Sequence, residues 1–173
     1  MAESNPRFLS NPIAVVDYDV GWPDEFARER QRILELLGAY IVELEHYGST
    51  AIPGLAAKPI IDMLAGVHKV DEAPVAARSL YDIGYTDFGV QVPGRRLFTR
   101  GGRANEATHH LHFVVYRSPA WYEPLQFGDR LRADPVLAQQ YAQLKRELAA
   151  RYGRDVREYS KGKSEFVASV LNA

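Results

Sequence analysis

Asp62 stands in an otherwise apolar run, Ile60-Ile61-Asp62-Met63-Leu64. A carboxylate there is costly to bury unless it is paired or holds a metal. Twelve residues separate it from Gly48-Ser49, a turn leaving a strand-like stretch. Glycine lets backbone N–H groups approach an anion, and the Ser49 and Thr50 hydroxyls can donate to phosphate oxygens. A phosphate-cradling turn beside a metal-holding carboxylate is how several phosphoryl and nucleotidyl transfer sites are built. The plainer alternative is an acid at a strand end, ion-paired to Lys58 or an arginine, beside an ordinary turn.

A second group lies in Thr108-His109-His110-Leu111-His112. On a strand His110 and His112 share one face, while His109 joins Leu111 on the other. A His-x-His pair can ligate a metal, and imidazole suits Zn, Fe or Mn better than Mg. It can also serve as a base or donate to phosphate, or simply be a satisfied, half-buried pair. His46, just before the turn, either joins the polar set or packs beneath it. Lys58, Arg95, Arg96, Arg100 and Arg103 are the densest local positive charge, and arginine forks bind phosphate well. Arg95 and Arg96 must point to opposite faces of a strand, so only one easily reaches a shared site. Lys163, in Tyr159-x-x-x-Lys163-x-x-Phe166, either reaches a phosphate or shields a helix face. Trp121, Tyr122, Phe127, Tyr141 and Tyr159 fall among leucines at helical spacing and read as core.

These residues need elements to hold them. Val15 to Asp19 fits a short extended segment. A helix starts at Trp22-Pro23-Asp24-Glu25, with proline and acids suited to its first turn, and Gly38 ends it. Phe26, Ile33, Leu34, Leu36 and Leu37 give its apolar face. Tyr40 to Tyr47 reads as a strand with Val42, Leu44 and His46 on one side, and Pro59 to Val67 as a buried strand. Asp71 to Ile83 reads as a helix, Tyr85 to Val90 and Arg95 to Arg100 as edge strands, Gly101-Gly102 as a turn, and His110 to Tyr116 as a strand. The last third is helical. One helix starts at Ser118-Pro119, another at Asp134-Pro135 with Asp as N-cap, and a last one carries Tyr159, Phe166, Val167 and Val170.

Composition is that of one globular domain: 173 residues, 46% hydrophobic and 25% charged. A formal charge of −1 gives no global field toward nucleic acid or membrane. There are no cysteines, so disulfides, thiolate metal sites and cysteine nucleophiles are excluded. No apolar stretch approaches membrane-spanning length. Residues 1–12 are polar, without a signal-peptide core, and read as a flexible segment before a single domain at 13–173. A cytoplasmic location, with neither membrane nor nucleic acid as partner, is the expectation.

Gly48-Ser49 followed by Asp62 resembles the opening signature of the nucleotidyltransferase superfamily, the DNA polymerase beta-like fold. The longer run His46 to Leu64 is more closely similar to the GrpB family of small bacterial proteins. That likeness extends through Thr108 to His112, Trp121…Leu125…Phe127-Gly128-Asp129-Arg130-Leu131-Arg132, Tyr141 to Lys145 and Tyr159…Lys163…Phe166. The resemblance implies an α/β (α+β) fold, a mixed β-sheet flanked by helices with a helical C-terminal third. It implies metal-dependent transfer from a nucleoside triphosphate to a small-molecule acceptor. Mg²⁺ or Mn²⁺ would sit on Asp62, with His110 and His112 in catalytic and ligating places, and Zn²⁺ if the histidines are ligands. Phosphates would meet Gly48, Ser49, Thr50, Lys58, Arg95, Arg96 and Lys163. The chain departs from the superfamily at Leu64, where a second acid usually stands. Two alternatives therefore stay open. One is a non-catalytic module binding a nucleotide or coenzyme precursor, as GrpB-like domains fused to dephospho-coenzyme A kinase suggest. The other is a histidine-based metal enzyme.

Overall fold

The computed structural model describes residues 12–70, 73–102 and 106–173. All but Pro12 of the expected flexible segment, together with Asp71 and Arg103, lies outside them. Helix α1 (Trp22–Leu37) precedes strand β1 (Ile41–Tyr47). A 3₁₀ turn at Ser49–Ala51 leads toward β2 (Ile61–Val67). Then come α2 (Ala73–Asp82), β3 (Tyr85–Val92), β4 (Arg95–Arg100) and β5 (His109–Val115). Four helices finish the chain: α3 (Pro119–Ala133), α4 (Pro135–Tyr152), α5 (Val156–Gly162) and α6 (Ser164–Asn172). The fold is α+β, a mixed sheet with helices on both faces.

The five strands lie in the order β1-β2-β5-β4-β3. Only β2 and β5 run parallel; the other neighbours are antiparallel. A parallel pair needs a long crossover, and α2, β3 and β4 supply it. The consequence is a register that sets Asp62 beside His110 and Leu64 beside His112. Alternation then sorts the side chains. Ile61, Met63, Ala65, Leu111 and Phe113 form one apolar face with Ile33 and Leu37 of α1 and Leu80 of α2. Asp62, Leu64, His110 and His112 take the opposite face.

Several elements depart from the sequence expectation. A register shift between Ile41 and Glu43 moves Ile41 inward and leaves Val42 exposed. Strand β4 is interior, flanked by β3 and β5. Leu36 and Tyr122 are exposed, while Trp121, Tyr141 and Tyr159 are buried as expected. The single last helix is two, broken at Lys163. Gly162 permits this close packing, since a Cβ there would meet Leu148 Cδ2 at 2.5 Å. Asp134 caps α4 as expected, its Oδ1 accepting from the N–H of Val136 at 2.9 Å and Leu137 at 3.0 Å. Val16 and Ala57 form an isolated bridge, which ties the expected extended segment to the loop before β2.

Candidate functional site

Gly48 carries φ of +75°, a backbone shape that favours glycine. A Cβ there would also meet Asp62 Oδ2 at 2.7 Å. The turn therefore closes onto the carboxylate only because this residue has no side chain. Across the parallel pair, His110 Nδ1–H donates to Asp62 Oδ1 at 3.0 Å. The imidazole leaves 16% of its side chain exposed and the carboxylate 28%, so the pair opens to solvent on one side. Burial alone would raise the Asp62 carboxyl, but the His110 hydrogen bond and the Lys58 ammonium hold it below the usual range. It is an anion at neutral pH.

His112 packs edge-on against Tyr47 and His110, with ring centroids 5.7 Å and 6.0 Å away. Burial, aided by the Arg95 charge, lowers it to about 3, so its ring is neutral. Its Nδ1, the Nε2 of His110 and the Nε of Arg95 are all buried without a protein hydrogen-bond partner. Such atoms are uncommon in a folded protein. Arg95 uses its Nη2–H on the Tyr47 hydroxyl at 3.0 Å. Asp62, His110 and His112 each offer a ligand atom within 4.8 Å of the others. Two imidazoles and one carboxylate fit a divalent cation.

A cleft of about 360 Å³ opens over these residues, with Ser49, Lys58, Lys145, Tyr159 and Lys163 in its walls. A second cavity of about 400 Å³ shares Ser49, Asp62, Arg95 and Lys163 with it and continues over Phe127, Tyr141 and Val167. Lys58 and Lys163 lie over the Tyr159 ring, 5.5 Å and 4.6 Å from its centroid. Lys145 is 2% exposed. Its amine donates to Ser49 Oγ at 2.8 Å and to the Ala56 carbonyl. Burial first, then the neighbouring cations, lowers Lys145 to about 7 and Lys163 to about 8. Three amines crowded round one cleft repel each other until an anion arrives.

Of the residues singled out from sequence, Gly48, Ser49, Lys58, Asp62, Arg95, His110, His112 and Lys163 line these joined cavities. Thr50 borders the cleft but is 1% exposed. Its hydroxyl donates to the Ile60 carbonyl at 3.3 Å and meets His46 Nε2 at 2.9 Å, so it is spent on the turn. His46 stacks on Phe26 and packs beneath that turn. Arg96 sits on the other sheet face, forked onto Asp87. Arg100 is on that face too, pairing with Glu29 at 2.7 Å. Leu64 is fully buried against Val114 and Trp121, so an apolar cluster fills the place of the second acid. Lys145 and the wall role of Tyr159 were missed. A lysine four residues after Tyr141 and three before Leu148, on a stripe otherwise apolar, was the available signal.

A family model described as GrpB protein matches residues 12–173. The chain belongs to the GrpB family. Among relatives, the UPF0157 protein YqkA of Bacillus subtilis is 38% identical over 159 residues, covering 91% of this chain and 46% of that protein. The glutamate-rich protein GrpB of Alkalihalophilus pseudofirmus is 33% identical over 164 residues, covering 92% of this chain and 94% of that one. This GrpB-family chain thus spans about half of the first relative and nearly all of the second. The crystal structure of GrpB from Enterococcus faecalis superposes with a TM-score of 0.83 at 30% identity, covering 92% of this chain and 95% of that one. The Cid1 poly(U) polymerase, with MgGTP bound, gives a TM-score of 0.54 at 16% identity, covering 79% and 45%. The last likeness is one of fold: the GrpB chain has a nucleotidyltransferase-like fold. Among the described residues no helix is long and apolar enough to cross a membrane.

Proposed function

We propose that this protein binds a nucleoside triphosphate with one divalent cation and passes the nucleotidyl group to a small-molecule acceptor. One observation carries the reading: Asp62, His110, His112, three lysines and Ser49 of the turn line one cleft, and Gly48 lines the cavity that shares Asp62 with it. The phosphates fit the lysine side, where Lys58 and Lys163 lie over Tyr159, Lys145 lies over Tyr141, and Ser49 Oγ, oriented by Lys145, keeps its own proton to donate. Arg95 has an unspent Nε–H at the other wall. Asp62 with His110 and His112 would hold the cation, which supplies charge withdrawal from the phosphate oxygens. In the transfer, the acceptor oxygen bonds to the α-phosphorus. The bond from that phosphorus to the bridging oxygen breaks, pyrophosphate leaves, and the acceptor proton passes to solvent at the cleft mouth. The lysines favour the leaving group by neutralising it as charge builds.

Leu64 favours a second reading. With an apolar side chain where a second carboxylate would hold another ion, the site suits binding of a nucleotide or coenzyme precursor without turnover. Calorimetry with ATP, CTP, GTP and UTP in the presence of Mn²⁺, followed by a pyrophosphate-release assay, separates the two. Binding with pyrophosphate release supports transfer; binding without it over a broad set of alcohol and amine acceptors supports the adjunct. Absence of triphosphate binding at millimolar concentration removes transfer, and absence of binding to dephospho-coenzyme A as well removes both.

A further inference from the structure

We infer that Asp62, His110 and His112 form a one-ion site that takes Zn²⁺, or a similar imidazole-accepting dication, in preference to Mg²⁺. The inference rests on the reading of a cation-holding cleft given above and names the ion. Three observations carry it. The first is the donor set, one carboxylate and two imidazoles within 4.8 Å of one another. The hydrogen bond between His110 Nδ1 and Asp62 Oδ1 spends one atom of each side chain. What remains includes His110 Nε2 and His112 Nδ1, both buried and without a protein partner. Buried ring nitrogens with nothing to bond are costly, and a dication is a ligand that an unprotonated imidazole nitrogen accepts.

The second observation is that, among the described residues, no second carboxylate joins the cluster; Glu45, opposite Leu64 on β1, is not within its reach. Leu64, the next residue on this face of β2, is sealed against Val114 and Trp121. Tyr47, opposite Asp62 on β1, has its hydroxyl engaged by Arg95. Thr99, opposite His110 on β4, is buried with its hydroxyl donated to the Gly102 carbonyl. Mg²⁺ demands near-octahedral oxygen coordination. Phosphate oxygens from a nucleotide would still leave two imidazoles in its inner sphere, which Mg²⁺ accepts poorly. Zn²⁺ is content with nitrogen and oxygen donors and with three protein ligands plus an exchangeable position.

The third observation is where the open side lies. The three donors come from two parallel strands at the floor of the cleft, and Ser49, Lys58, Lys145 and Lys163 face them from its walls. An ion held from below would present its exchangeable positions to whatever anion the lysines collect. That places it at a reacting centre rather than in a closed structural site.

The test is calorimetric titration of chelator-stripped protein with ZnCl₂ and, separately, MgCl₂. A parallel Co²⁺ titration is followed by its visible spectrum. The expected result is one Zn²⁺ per chain, bound at least ~100-fold more tightly than Mg²⁺, with a Co²⁺ spectrum changed from that of the aqueous ion. His112→Gln should weaken Zn²⁺ by ~10-fold or more, whereas His68→Gln, at an exposed histidine just beyond β2, should leave it unchanged. If the His112 variant does not fold, His110→Gln replaces it. Mg²⁺ bound as tightly as Zn²⁺, or Zn²⁺ held equally by the variant, overturns the proposal. ATP is titrated into the same preparations. Binding of ATP with Mg²⁺ and no preferred Zn²⁺ site sinks this inference and spares the proposed function. A Zn²⁺ site in a protein that binds no triphosphate does the reverse.

Discussion

The two faces of the sheet carry similar residues and satisfy them to different degrees. On the α1 side, Glu29 is 3% exposed yet fully engaged. It accepts from the Tyr85 hydroxyl at 2.9 Å, from Arg100 at 2.7 Å and from Arg32 at 3.1 Å. His109 joins this face through its Nδ1 and the Thr108 hydroxyl at 2.9 Å, but its Nε2, with Glu25 3.7 Å away, is buried without a hydrogen-bond partner. On the cleft side, Asp62 and His110 make one bond between them, and nitrogens of His110, His112 and Arg95 are left over. Both sets combine carboxylate, imidazole and guanidinium. What separates the two sets is the degree of satisfaction: among the described residues, only His109 Nε2 is left buried without a partner on the α1 side, while on the cleft side nitrogens of three residues are.

The comparison breaks most directly at its closed end. Glu29→Ala strips the acceptor from Tyr85, Arg100 and Arg32 at once and leaves a buried hydroxyl and a partly buried cation unpaired. Destabilisation of about 3 kcal/mol is expected, seen as a melting temperature lowered by roughly 6–12 °C. Metal and nucleotide binding, measured below that temperature, should hold within about twofold. Asp62→Asn should show the opposite signature. It keeps the shape, removes the charge and one ligand, and should cut cation-dependent triphosphate affinity by ~30-fold or more with a melting point nearly unchanged. Equal losses of stability and binding in both variants would erase the distinction between the faces.

How much of this was readable from the chain differs from residue to residue. The strand bearing Asp62 stood out as a short apolar run, and in His110 to Tyr116 period two alone put His110 and His112 together and His109 opposite. That β2 and β5 are parallel neighbours was not in the periodicity, because two strands separated by more than forty residues carry no local mark of pairing; the family likeness implied only a mixed sheet. Thr50 misled because a hydroxyl after Gly-Ser suits phosphate equally well until His46 and the Ile60 carbonyl claim it. The break at Lys163 was hidden since Gly162 alone is a weak stop, and its meaning depends on Leu148 of a different helix. Lys145 was legible as a cation on an apolar stripe, but only the fold shows Ser49 at its tip.

Lys145 gives the next sharpening, through pH. In the unfolded chain a lysine titrates at about 10.4; here burial brings it to about 7. Between those values the unfolded chain holds a proton that the folded one has shed, so this residue makes stability rise with pH from about 7 upward. Below about 7 both states are protonated and its destabilising contribution is complete. Lys145→Met should therefore flatten the gain in stability between pH 7 and pH 10, followed by denaturant melts, with the residual slope belonging to Lys58 and Lys163. An anion in the cleft favours the charged amine, so wild-type triphosphate affinity should rise as pH falls from 8.5 to 6.5. In Lys145→Met it should be about tenfold weaker at pH 6.5 and less pH-dependent. A wild-type affinity flat across that range would put the amine outside the phosphate site.

Arg95 and Arg96 make the comparison with the least change of chemistry, since they are adjacent arginines on one strand. Arg96 lies over Phe98 and forks onto Asp87, each partner mostly buried. Arg95 lies over Tyr47 and keeps a buried Nε without a partner beside the cleft. Arg96→Ala should cost about 1–2 kcal/mol of stability through the lost fork and leave ligand affinity alone. Arg95→Ala removes a cation that repels protons from His112 and a donor that faces the cavity. It should lower triphosphate affinity by roughly three- to fivefold with less than about 1 kcal/mol of destabilisation. The effects are small, but they have opposite assignments at neighbouring positions, and a chemical-shift or calorimetric titration resolves them. If Arg96→Ala weakens binding as much as Arg95→Ala does, the two faces communicate, and satisfaction of polar atoms is then not what decides which of them is the site.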